Sequence, residues 1–155
     1  MADRGIDIFM YDHTIKSLPF TNKKFHWEKL GLCGKQKFPN LKDLETLILE
    51  NGHSSEKNMI LKIDIERWEW VALIDLKEET LNQFKYIAIE FHFVDESKSK
   101  NTNLYYQVLK KLEKTHQSFY FRCNGDRSRI IKFGNNRICH ILEVSYIIKN
   151  NNTFT

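Results

Sequence analysis

The stretch Met59-Ile60-Leu61-Lys62-Ile63-Asp64-Ile65-Glu66 decides the fold class. From Met59 to Ile65 it is apolar apart from Lys62 and Asp64, a composition typical of strands covered on both faces, as in parallel sheets. Lys62, Asp64 and Glu66 alternate, so on an extended chain they share one side, with Leu61, Ile63 and Ile65 opposite. Three charges in a buried strand are costly unless they are paired or lie at its solvent-facing end. Two readings follow. Either Lys62 pairs with a nearby acid and a carboxylate sits at the start of the next helix, where the helix dipole favours it, or Asp64 and Glu66 reach a ligand crevice at the strand's C-terminal end.

Outward from this run, strand and helix patterns alternate. On the C-terminal side, Trp68 to Leu76 reads as a helix with Trp70, Val71, Leu73 and Ile74 as packing residues, and Lys77 to Gln83 as a second helical stretch after a break. Tyr86 to Phe93 is another buried strand, Asp95 to Lys100 a polar loop, and Leu104, Val108 and Leu112 lie on one face of a helix ending near His116. Gln117 to Cys123 and His140 to Ile148 read as two final strands, antiparallel neighbours joined by the basic loop Asn124 to Asn136. On the N-terminal side, Ile6 to Tyr11 is a buried strand closed by Asp12. His13 to Phe20 is a turn or short helix, and Lys24 to Leu32 a second strand. Leu41 to Glu50 has helical spacing, with Asn40 as cap and Asn51-Gly52 as stop. The alternation implies an α/β, doubly wound Rossmann-like sheet with helices on both faces, mostly parallel, with an antiparallel C-terminal hairpin. Residues 1–150 form one domain, and 151–155 a disordered tail.

Bulk properties narrow the function classes. The chain has 155 residues, 24 Lys+Arg against 20 Asp+Glu, and a formal net charge of +4. The basic residues are scattered among acids, which argues against a nucleic-acid stripe. No apolar run approaches the ~20 residues that span a bilayer, and the first residues do not form a secretory signal. Three widely spaced cysteines, Cys33, Cys123 and Cys139, argue against a disulfide framework and fit a reducing, cytoplasmic compartment. No CxxC pair, GxGxxG, P-loop, GxSxG or HExxH is present.

The candidate site residues cluster at predicted strand ends. Asp64 and Glu66 close one strand, and Glu90-Phe91-His92 closes the next. If the two strands are neighbours, carboxylates and an imidazole meet at one rim, as a general acid/base cluster or a metal site. Asp12 closes the first strand, where an acid either caps the following turn or accepts hydrogen bonds from ribose hydroxyls. His26, His53 and His116 show no ligand spacing, Cys139-His140 reads as packing, and Trp68 and Trp70 read as core rather than a stacking platform. Arg122, Arg127, Arg129, Lys132 and Arg137 make a solvated basic loop.

Leu61-Lys62-Ile63-Asp64-Ile65-Glu66 followed by Trp68-Glu69-Trp70 resembles the "LKIDIEGxEW" segment of the FkbM-like S-adenosylmethionine-dependent methyltransferases, nearest the branch with the methyltransferase-like 24 proteins. Tyr11 to Thr14 resembles that family's acid-ending second strand. His26 with Gly31-Leu32 and Gly34 resembles its "H…GLxG" third strand, and Leu41 to His53 its "L-x-x-L…GH" helix. Ile89 to His92 resembles its "xExH" fifth strand, and Leu142 to Ile147 its closing strand. The order is preserved over residues 6–148.

The resemblance implies a class I methyltransferase sheet lacking its first strand, since the chain begins at the equivalent of the second. Asp12, Gly31 and Leu32 would bind S-adenosylmethionine. Asp64, Glu66 and His92 would face the methyl group and an acceptor of unknown identity, with no metal assigned. Two departures are expected to weaken activity: the missing first strand with its glycine-rich loop, and Arg67 where the family segment has glycine, crowding or re-charging the site. Two rivals come from other classes. One is a non-catalytic interaction module that self-associates through exposed strand edges; the other is a divalent-metal hydrolase built on Asp64, Glu66, Glu90 and His92. No nucleic-acid or membrane partner is expected.

Overall fold

The computed structural model describes residues 1–35, 38–93, 102–124, 130–133 and 135–149. The polar loop expected over 95–100, Arg127 and Arg129 of the basic loop, and the tail expected over 151–155 lie outside the described residues.

After a short 3-10 turn at Ala2–Arg4, β1 (Ile8–Tyr11) pairs in parallel with β2 (Phe25–Glu28). β3 (Gly31–Leu32) pairs in parallel with β4 (Leu41–Lys42), which leads into α1 (Leu44–Glu50). β5 (Met59–Ile63) is followed by α2 (Glu69–Ile74) and α3 (Glu78–Leu81), then by the long β6 (Phe84–His92). α4 (Thr102–Thr115) runs directly into β7 (His116–Asn124), the hairpin β8 (Ile130–Phe133) and β9 (Asn136–Cys139), and finally β10 (Ile141–Ile148).

The main sheet has the order β5-β6-β10-β7. β5 and β6 are parallel, and β10 is inserted antiparallel to both β6 and β7. Strands β5, β6 and β7 therefore run in one direction and β10 against them, a mixed α/β arrangement with an antiparallel C-terminal pair. The neighbouring of segments 61–66 and 87–92 expected from sequence is present as the β5–β6 ladder, with Leu61 opposite Ile87 and Ile63 opposite Ile89.

The core forms where α2 and α4 cover one face of this sheet. Ile87, Ile89 and Phe91 of β6 are 1%, 0% and 0% exposed. They pack in one cluster with Trp70, Leu73, Val108 and Leu112, and the Trp70 and Phe91 rings stack with centroids 4.5 Å apart. Burying such side chains contributes about 1.5–3 kcal/mol each. The opposite face is open: Ile60 is 50% exposed, and its cross-strand neighbour Tyr86 37%. This corrects the expectation of strands covered on both faces. Apolar residues such as Ile60 made the run look uniformly buried, but only its alternate positions face helices.

Other boundaries differ for local reasons. The stretch 24–32 is two strands, because Leu30 N–H turns back to Glu28 C=O and Gly31 N–H bonds Asn40 C=O. Asn40 does not cap α1: it has φ +61°, and Asp43 accepts from Thr46 N–H (2.9 Å) and Thr46 Oγ1 (2.7 Å) instead. Residues 13–20 form bends with no helix. Cys123 and Cys139 are disulfide-bonded with Cα atoms 5.7 Å apart, while Cys33 remains a buried thiol. The reading of three reduced cysteines is corrected, and the reducing compartment inferred from it loses that support. Residues 123 and 139 are distant in sequence, but the β8–β9 hairpin returns the chain to β7. No helix among the described residues is long and apolar enough to cross a membrane.

Candidate functional site

A cavity of about 580 Å³ opens beyond the carboxyl ends of β1 and β5. One wall is Tyr11 to Thr14 with Gly31, Leu32 and Leu41; the other is Asp64 to Glu66 with Trp68. Asp12, Gly31, Leu32, Asp64 and Glu66 thus line one space. His92 lies behind this wall, with Nε2 3.4 Å from Glu66 Oε2.

Asp64 and Glu66 are not on a strand. β5 ends at Ile63, and Glu66 and Arg67 take left-handed backbone, φ +50° and +80°. Two consecutive non-glycine residues in this region cannot continue a ladder, and they turn the chain into α2. The strained pair sits at the cavity mouth, where over-determined backbone concentrates. The turn leaves the Glu66 side chain 86% exposed. Lys62 Nζ lies 3.6 Å from Asp64 Oδ2, so Asp64 is ion-paired as one reading of this run expects, and it also lines the cavity. Arg67 itself does not line the cavity.

His92 ends β6 and is held from α2. Its N–H donates to Glu69 Oε1 (2.6 Å), its C=O accepts from Trp70 Nε1 (2.8 Å), and its Nδ1 lies 3.3 Å from the same Glu69 oxygen. This grip directs Nε2 toward Glu66 Oε2 and toward Glu90 Oε1 at 3.5 Å. Glu90 and His92 are two apart on β6 and share a side, and Asn124 on β7 donates to the other Glu90 oxygen. Glu69 is fully buried, and its Oε2 has no hydrogen-bond partner among the described residues. Burial pushes its carboxyl above the ordinary range, against the opposing pull of the His92 N–H and imidazole. Ligand atoms of Asp64, Glu66 and His92 lie within 4.8 Å of one another.

Glu69 was missed by sequence reasoning. Its signal is an acid beside Trp70 and one turn before Leu73, on the face of α2 that is buried. Trp68 was also misread: it is 41% exposed and lines the cavity, with its ring edge-on to Phe38. Trp70 packs in the core as expected.

On the opposite wall, Asp12 Oδ1 accepts from Thr14 N–H (2.7 Å) and Thr14 Oγ1 (2.6 Å), which holds its carboxyl below the usual range. The capping reading of Asp12 is therefore met in part, with a bend in place of a helix. A Cβ at Gly31 would fall 2.5 Å from His13 Nδ1 and 2.5 Å from Leu41 Cδ2, so a larger residue would require those two side chains to shift. His26 pairs with Asp7 at 2.8 Å and stacks on Phe9, whose ring His53 meets edge-on. His116 is buried between Phe84 C=O and Thr115 Oγ1. None of these three joins the cavity.

No protein-family model, curated protein or solved structure matches the chain.

Proposed function

We propose that the chain is an S-adenosylmethionine-dependent methyltransferase-like domain of the FkbM type, with weak cofactor affinity on its own. The observation that carries the reading is the shared cavity. Its Asp12–Gly31–Leu32 wall and its Asp64–Glu66 wall lie beyond the carboxyl ends of parallel strands, where open α/β sheets bind ligands. The sheet order with an inverted strand between β6 and β7 also accords with the fold that the sequence resemblance implies.

S-adenosylmethionine would supply the methyl group. The chain's part would be positioning and proton removal: as the acceptor oxygen or nitrogen bonds to the methyl carbon and the carbon–sulfur bond breaks, the acceptor's proton passes to Glu66. His92, 3.4 Å behind Glu66 and fixed by Glu69, stabilises the carboxylate that takes it. One feature favours weak binding: one oxygen of Asp12 is already committed to Thr14.

The test is a titration with S-adenosylmethionine. Calorimetry at micromolar protein is expected to give no resolvable heat, while millimolar cofactor shifts the amide resonances of Gly31, Leu32 and Glu66. A low-micromolar dissociation constant overturns the weak-affinity part. Unmoved resonances at millimolar cofactor overturn the cofactor pocket altogether.

A second reading, a binding module acting through its sheet edge, is favoured by β7, where Phe119, Tyr120 and Phe121 are 61%, 48% and 74% exposed. It requires concentration-dependent association in sedimentation, and a monomer at all concentrations counts against it.

A further inference from the structure

We propose that Asp64, Glu66 and His92 bind a divalent first-row transition-metal ion, with Glu90 beside the imidazole. The proposal shares Asp64 and Glu66 with the methyltransferase reading but does not depend on it, because it needs no cofactor.

The geometry is that of a metal site with its ligands slightly open. Ligand atoms of Asp64, Glu66 and His92 lie within 4.8 Å of one another, and Glu90 Oε1 is 3.5 Å from His92 Nε2. An ion about 2.0–2.2 Å from each donor needs donors no more than roughly 4.4 Å apart. Asp64 and Glu66 are exposed and can close that difference by small rotations, whereas His92 and Glu90 are buried or nearly so and set the position.

A second feature points to a cation independently of the acidic cluster. The imidazole is oriented from behind: Glu69 is fully buried, one of its oxygens faces His92 Nδ1 at 3.3 Å and accepts the His92 N–H, and its other oxygen has no partner among the described residues. A carboxylate on the far nitrogen of a histidine fixes the tautomer that presents the near nitrogen, with its lone pair, to a metal. The charge balance points the same way. Three carboxylates, those of Asp64, Glu66 and Glu90, gather at the imidazole, and Lys62 pairs with Asp64. A dipositive ion offsets the excess.

The donor set indicates the ion. One imidazole nitrogen with two carboxylates suits Mn²⁺ or Zn²⁺, and the nitrogen disfavours Mg²⁺ and Ca²⁺. Asp64 and Glu66 line the 580 Å³ cavity. An ion held by them therefore keeps coordination positions open to an oxygen-bearing small molecule there.

The probe is Mn²⁺ alone, added to the full chain without cofactor and followed by electron paramagnetic resonance. The expected result is one bound ion per chain, displaced by Zn²⁺ at lower concentration and by Mg²⁺ only at much higher concentration. Asp64→Asn and Glu66→Gln, both at exposed positions, are expected to weaken it at least tenfold each. Asp12→Asn, on the opposite wall, leaves it unchanged. His92→Ala is expected to abolish binding, and where that variant fails to fold the two exposed variants decide. No binding at 1 mM Mn²⁺, several weak ions per chain, equal affinity for Mg²⁺, or binding indifferent to Asp64→Asn and Glu66→Gln each overturns the proposal. A negative titration with S-adenosylmethionine leaves it standing.

Discussion

Replacing Arg67 by glycine is expected to stabilise the fold relative to alanine at the same position. Arg67 has φ +80°, directly after Glu66 at +50°. In this region a Cβ crowds the carbonyl oxygen, at about 1–2 kcal/mol per residue, and glycine is free of that cost. Glycine in turn loses more freedom on folding, roughly 0.5–1 kcal/mol relative to alanine. Arg67→Ala and Arg67→Gly both remove the exposed side chain and its charge, so their difference isolates the backbone. The expected net is about 0.5–1 kcal/mol in favour of glycine, or roughly 1–4 °C in Tm for a chain of this size. Urea denaturation with a common m-value measures it. If alanine equals or exceeds glycine, the left-handed turn between β5 and α2 is wrong, and with it the placement of Glu66 at the cavity mouth.

Three further outcomes follow from the same structure. Reducing Cys123–Cys139, or replacing both by serine, is expected to cost up to about 3 kcal/mol, the entropy of a closed loop of roughly 15 residues; the separation is 16, and thermal melts with and without reductant read the loss. Gly34→Ala is expected to destabilise by about 1–3 kcal/mol, because its Cβ would lie 2.9 Å from the Val71 backbone oxygen on α2; an unchanged urea midpoint would refute that packing. His116 is buried, and desolvation pulls its pKa below the ordinary 6.5, so the unfolded chain takes up the proton first. The stability His116 contributes is whole above pH 6.5 and is lost as pH falls below it. His116→Gln should therefore flatten the wild-type decline in urea midpoint between pH 6.5 and 5, and identical slopes would contradict the burial.

Strand and helix order was legible from residues 59–66 and 86–93, because apolar runs of that length bounded by polar residues have few other readings. The convergence of Asp64, Glu66 and His92 followed from one further step, that consecutive parallel strands are neighbours, and the β5–β6 ladder has that form. Asp12, Gly31 and Leu32 joined them through the sequence resemblance. Glu69 was not legible as a site residue: its role depends on burial at 0% beside His92, and a single acid in a helical pattern carries no sign of that.

Local chemistry in the chain therefore settled which apolar runs would be strands and which acids would be near an imidazole, but not where each strand would end: β5 stops at Ile63, and 24–32 is broken into two strands. Tertiary structure decided the rest. Periodicity reports which side of an element is apolar, not what lies against it, so only packing could show one sheet face open at Ile60 and Tyr86. Spacing in sequence says nothing of distance across a hairpin, so only the fold could bring Cys123 to Cys139. Backbone dihedrals follow from where the chain must go next, so the left-handed turn at Glu66 and Arg67 emerged only when β5 had to stop and α2 had to seat Trp70 on Phe91.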